Sequence, residues 1–132
     1  MVTNSQIVQG LYDAFARGDV PTVLAAMDSA IQWREADGFL YAEGNPYVGP
    51  QAVAEGVFQR IVADVDSFAA VPHTFIDGGG TVVVEGRYKG TRKATGKPVD
   101  AQSAHVFEFR NDRIIRFQQY TDTKQWAQVA ER

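Results

Sequence analysis

A chain of 132 residues, read as a single domain over 1–132, is long enough to bury a core of its own. Its 45% apolar and 22% charged residues are those of an ordinary globular protein, and a net charge of −3 invites neither nucleic acid nor an anionic membrane. The absence of cysteine excludes disulfides and thiolate chemistry. With His73 and His105 as the only histidines, no histidine-rich metal centre is expected, so no metal is assigned.

The opening MVTNSQIVQG has no basic stretch leading into an apolar run, so no signal peptide is expected. No window approaches a membrane span, and a cytoplasmic location is the default. From Thr3 to Arg17 the apolar residues Ile7, Val8, Leu11, Ala14 and Phe15 recur at helical spacing. Thr3 with Gln6 forms a capping box at the start, and Gly18 is placed to stop the helix. Asp19 then caps a second, short helix with Pro21 in its first turn and Val23, Leu24 and Met27 facing inward.

The period changes to two over Ala30 to Ala36, where Ile31, Trp33 and Glu35 share one face of a strand. Glu35 continues an apolar face with a carboxylate. Either the strand has ended and Glu35 is in solvent, or it is a general base at the rim of a pocket. Asp37 to Pro50 is a loop carrying Phe39, Tyr41 and Tyr47, a lid over a hydrophobic ligand or else a dimer contact. Pro50 opens a third helix with Val53, Val57, Phe58 and Ile61 inward, and Gly56 within it permits a close approach.

Strands follow from Phe68 onward. Pro72 marks an edge position or a strand end, and His73 reads as a surface residue. Gly78 to Gly80 make a turn, and Thr81 to Lys89 a strand with Val82, Val84, Gly86 and Tyr88 on one face. The TGK at Thr95 to Lys97 lacks the spacing of a phosphate loop and is a hairpin loop. The cations Arg87, Lys89, Arg92, Lys93 and Lys97 have no acid among them; they form a solvated hairpin tip or a contact for an acidic ligand.

Ala101 to Asp122 is the strongest pattern in the chain: two strands around a tight turn. Ser103, His105, Phe107 and Phe109 share a face, and Ile115, Phe117, Gln119 and Thr121 share one on the other side of the turn. A two-residue loop at Asn111-Asp112 would set Phe107 opposite Arg116, so a three-residue loop, Arg110 to Asp112, is expected. His105 and Gln119 then lie on an aromatic, buried face. They are a satisfied core pair or the polar groups of a lined pocket. Asp122 caps a last short helix through Trp126 and Val129.

Three N-terminal helices around one early strand, followed by antiparallel strands, make an α+β fold with a curved sheet wrapped over helices. A cone-shaped cavity in such a fold is the default binding site.

The stretches LYDAFARGDVPTVLAAM, IQWRE, YVGPQAVAEGVF and VVVEGRYKGTRKATGKPVDAQSAHVFEFRNDRIIRFQQYTD resemble the SnoaL-like polyketide cyclases of the nuclear transport factor 2 superfamily. That superfamily also holds ketosteroid isomerases, limonene epoxide hydrolase and scytalone dehydratase. The resemblance implies a cone-shaped α+β barrel, a hydrophobic pocket, no cofactor and commonly a homodimer. It places His105 where the cyclases carry a pocket histidine and the isomerases an oxyanion-hole aspartic acid. Glu35 falls about where the isomerases carry their base.

Three departures stand out. Gln119 occupies the position of an acidic catalytic residue, and glutamine exchanges no proton at neutral pH. Tyr88 and Gly86 stand where the epoxide hydrolase has an Asp and an Arg, and Leu11 where the isomerases have their oxyanion tyrosine. Epoxide hydrolysis and isomerase-type catalysis in their familiar forms are therefore disfavoured.

Two functions are in balance: a cofactor-free cyclase, isomerase or dehydratase acting on a small hydrophobic carbonyl compound, and a non-catalytic binder of such a compound. A dimeric adaptor module is the third. In the first, His105 and Glu35 carry protons, His105 because an unperturbed imidazole titrates near neutrality, and Gln119 holds an oxygen. Trp33, Tyr47, Phe58, Tyr88, Phe107 and Phe117 are the candidate pocket wall. Val106, Gln118 and Tyr120, on the outer face, are the candidate dimer contacts.

Overall fold

A computed structural model describes residues 2–131. Helix α1 (Asn4–Ala16) starts in the expected capping box: the Gln6 N–H donates to Thr3 Oγ1 at 3.1 Å and the Thr3 N–H to Gln6 Oε1 at 2.9 Å. Val8, Leu11 and Ala14 are its buried face. Asp19 caps α2 (Val20–Ala25) by accepting from the Thr22 N–H at 3.2 Å. Strand β1 (Met27–Arg34) follows, then a loop with a 3-10 turn at Ala42–Gly44 and a two-residue strand, β2 (Tyr47–Val48).

The third helix, α3, spans 50–64. It is α-helical over Pro50–Val53 and Gln59–Asp64, and π-helical over Ala54–Phe58. The tyrosine ring of residue 47 lies against Gly56, so closely that a Cβ there would meet Tyr47 Cε1 at 2.2 Å. This is the close approach that glycine inside a helix permits, and it coincides with the widened turn.

Strands β3 (Val65–Asp77), β4 (Thr81–Arg92), β5 (Pro98–Arg110) and β6 (Arg113–Thr121) complete a six-stranded sheet in the order β2-β1-β6-β5-β4-β3. β1 and β6 run parallel and every other pair is antiparallel. β3 is the edge that Pro72 suggests, and His73 is the exposed extra residue of a bulge there. Helix α4 (Thr123–Ala130) is capped by Asp122 and buries Trp126 and Val129. The fold is the α+β arrangement read from the sequence: helices on a curved, mostly antiparallel open sheet.

One expectation is corrected. The β5–β6 turn has two residues, Asn111 and Asp112, both left-handed at φ 52° and 62°, and Arg110 pairs with Arg113. A bulge at Ile115 then restores the register: Phe109 faces Ile114, but Glu108 faces Arg116 and Phe107 faces Phe117. The expected faces survive, with Ile114 in place of Ile115 in the core. The basic hairpin is a solvated tip, with Lys89, Lys93 and Lys97 exposed, and most of its cations have local partners. Arg87 pairs with Asp100 at 2.6 Å, Arg92 with Asp64 at 3.8 Å and Lys93 with Asp66 at 3.7 Å, while Lys97 donates to the Glu131 carbonyl at 2.5 Å.

Candidate functional site

Between the helices and the concave face of the sheet lies a cavity of about 90 Å³. Strand register places its back wall. His105 sits opposite Gln119 and Phe107 opposite Phe117 on β5 and β6, and Trp33 of β1 lies beside Phe117. The Trp33 and Phe117 rings stack at 3.6 Å between centroids, and Phe58 of α3 meets Trp33 edge-on. Trp33, Phe58, Tyr88, His105, Phe107, Phe117 and Gln119 all line the cavity.

Two expected residues do not. Tyr47 fills the space between Gly44 and Gly56 and donates to the Tyr41 carbonyl at 2.6 Å, so its ring is a structural wedge behind the wall. Glu35 is buried at 2% exposure, which settles it against solvent, yet it does not line the cavity. Its main chain is clamped by Asn45, whose side chain accepts from the Glu35 N–H and donates to the Glu35 carbonyl, both at 2.8 Å. Its Oε2 accepts from Trp33 Nε1 at 3.3 Å, whereas Oε1 has no partner. Burial pushes this carboxyl up to about 7, against the opposing pull of the Trp33 hydrogen bond and the Arg60 charge.

Sequence reasoning missed Tyr12. It lies four residues after Val8 and three before Phe15, at the margin of the α1 stripe, so the helical spacing was there to find it. Tyr12 lines the cavity, and its hydroxyl meets His105 Nδ1 at 2.5 Å. On the other side of the ring, the Tyr88 hydroxyl meets His105 Nε2. Gln119 donates from Nε2 to the Tyr88 oxygen at 3.0 Å and accepts at Oε1 from the Ala36 N–H, also at 3.0 Å.

His105 thus has both nitrogens engaged. Burial pushes its imidazole down to about 3, so it is neutral at pH 7 rather than titrating near neutrality as an unperturbed ring would. Burial likewise raises both phenols, Tyr12 and Tyr88, above their ordinary range. Among the described residues no cluster of three His, Cys, Asp or Glu side chains is placed to hold a metal ion. No described helix is long and apolar enough to cross a membrane.

An open curved sheet closed by helices over an apolar cavity, with a buried histidine on its central hairpin, defines a small pocket-bearing α+β domain. The chain belongs to the SnoaL-like domain family, which it matches over residues 8–117. Among curated proteins none matches it. An NTF2-like protein of Burkholderia thailandensis is similar over all of both chains at 34% identity, with a TM-score of 0.95. TerC, co-crystallised with polyporic acid, shares the fold over 98% of both chains at 22% identity, with a TM-score of 0.86. A ketosteroid isomerase-like protein of Catenulispora acidiphila, in complex with trimethylamine, shares it at 18% identity and a TM-score of 0.80, over 96% of this chain and 94% of its own.

Proposed function

We propose that the cavity takes a small hydrophobic compound about one ring in size. The observation that carries this is the cavity itself. At ~24 cal/mol per Å³ of void, 90 Å³ left empty costs about 2 kcal/mol of packing. An apolar occupant recovers that loss, and since 90 Å³ is less than the ~150 Å³ of an engineered apolar cavity that takes benzene, one ring is the upper size. Two neighbours of the same fold hold small molecules, polyporic acid in one and trimethylamine in the other, which supports a ligand here.

Cofactor-free acid–base chemistry on that ligand is the second reading, and Glu35 is the observation that favours it. A carboxyl near 7 is poised to exchange protons at neutral pH. Proton abstraction next to a carbonyl would need that carboxyl to turn into the cavity, because it does not line the wall. His105, neutral and held at both nitrogens, would then support the hydrogen bond to the developing oxyanion rather than carry the proton itself. Phe107, Phe117, Trp33, Phe58 and Tyr88 are the proposed contacts of the ligand's apolar body, and Gln119 acts through Tyr88. The exposed Tyr120, with Val106 and Gln118 on the sheet's outer face, is the proposed surface for symmetric pairing with a second copy.

The test is a panel of single-ring carbonyl compounds, with binding followed by calorimetry and turnover by NMR, in wild type, His105→Ala and Glu35→Ala. Binding without turnover establishes the binder. Turnover that falls about 10²-fold in either variant establishes the enzyme. Failure of every compound to bind removes both and leaves the outer face of the sheet as the working surface, which sedimentation at micromolar concentration checks.

A further inference from the structure

The polar chain on the cavity wall has a direction, and it can be worked out from one end. The Ala36 N–H can only donate, and it donates to Gln119 Oε1 at 3.0 Å. The amide is thereby oriented, and its Nε2 side donates to the Tyr88 oxygen at 3.0 Å. Tyr88 is buried, and among the described residues its own proton has one acceptor in reach, His105 Nε2. Were Nε2 protonated instead, Tyr88 would accept twice and its O–H would be orphaned; either tautomer leaves one phenol proton without a protein acceptor, and that costs more on the buried Tyr88 than on the half-buried Tyr12.

A neutral imidazole carries one N–H, which the Tyr88 bond assigns to Nδ1. The ring is neutral at pH 7, since burial holds it down to about 3. Nδ1–H therefore donates to Tyr12 Oη at 2.5 Å. Tyr12 spends its oxygen on His105 and keeps its proton, for which the described residues supply no acceptor.

We infer that the Tyr12 hydroxyl is the donor this cavity offers its ligand, so that the ligand is a compact ring bearing an acceptor oxygen, a ketone in chemical class. Gln119, Tyr88 and His105 are positioning residues that set which way the Tyr12 proton points. The ligand's oxygen is an acceptor without a proton of its own, because an alcohol or amine would bring a second donor to a wall whose ring nitrogens are both engaged. This specificity rests on the cavity being a ligand site, as proposed above.

Two measurements on the full chain test it. Long-range ¹H–¹⁵N spectra of the ligand-free protein at pH 7 should show His105 protonated at Nδ1 and bare at Nε2; the opposite tautomer overturns the inference. Cyclohexanone and methylcyclohexane, matched in shape, are then titrated into wild type and Tyr12→Phe. The variant should bind cyclohexanone about tenfold more weakly while holding methylcyclohexane within about twofold, the usual worth of one lost hydrogen bond. Cyclohexanone affinity unchanged by Tyr12→Phe, or an equal change for both probes, overturns the inference and leaves the cavity as a ligand site. No binding of either probe to wild type removes the ligand site, and this specificity with it. If Tyr12→Phe does not fold, the tautomer in wild type still decides the direction of the chain.

Discussion

His105 and Glu35 are both buried titratable groups, and burial drives them in opposite directions. The imidazole is pushed down to about 3 and the carboxyl up to about 7, each toward its neutral form. Their surroundings differ. His105 has a hydroxyl on each nitrogen and is locked into one hydrogen-bond chain. Glu35 has one indole N–H on one oxygen and nothing on the other. The first is a group held still; the second can change its protonation at neutral pH without breaking a network. Gln119 joins the two regions, since it takes the N–H of the residue after Glu35 and gives its own to Tyr88.

The largest effect expected is at the locked group. His105→Ala opens a void beside Phe107 and Phe117 and orphans the Tyr88 proton, so it should cost about 4 kcal/mol of stability, read from the midpoint of urea unfolding. A loss below about 1 kcal/mol would mean that the chain is not formed in solution.

A pH scan sharpens the contrast. Glu35 gains a proton on folding between 4.5 and about 7, so its contribution is complete below 4.5 and is lost as the pH rises through 7. His105 sheds one between 6.5 and about 3, so its contribution is complete above 6.5 and is lost as the pH falls toward 3. From 4.5 to 6.5 the two slopes oppose and cancel. Glu35→Gln removes one of them, and stability should then climb by about 3 kcal/mol from pH 4.5 to 6.5, at ~1.36 kcal/mol per proton per pH unit. Urea unfolding at four pH values checks it, and a flat profile in the variant would show that His105 is hydrated.

The smallest effect is behind the wall. Tyr47→Phe keeps the ring against Gly56 but removes the shorter of two hydrogen bonds to the Tyr41 carbonyl, leaving the Gly44 N–H at 3.4 Å, for a cost of about 1 kcal/mol and no change in ligand affinity. A change in affinity would place Tyr47 at the ligand after all, as the sequence suggests, and would extend the site toward Glu35.

Local pattern carried much of this. The capping box at Thr3, the stop after Arg17 and the shared face of His105, Phe107, Phe117 and Gln119 all follow from period and cap chemistry, which act over a few residues. The turn is one residue shorter than the pattern implies, yet Phe107 and Phe117 stay on one face because a bulge at Ile115 restores the register. What the tertiary structure decided lies between residues far apart in the chain. Tyr12 meets His105 across 93 positions, and Ala36 meets Gln119 across 83. Periodicity says which face a side chain takes, but not which side chain of another element will oppose it. That depends on how α1 lies across the sheet and on how the loop after β1 folds back. For the same reason Glu35 could not be assigned to solvent or interior from its strand alone: the Asn45 clamp and the Trp33 indole that bury it come together only once the loop has closed.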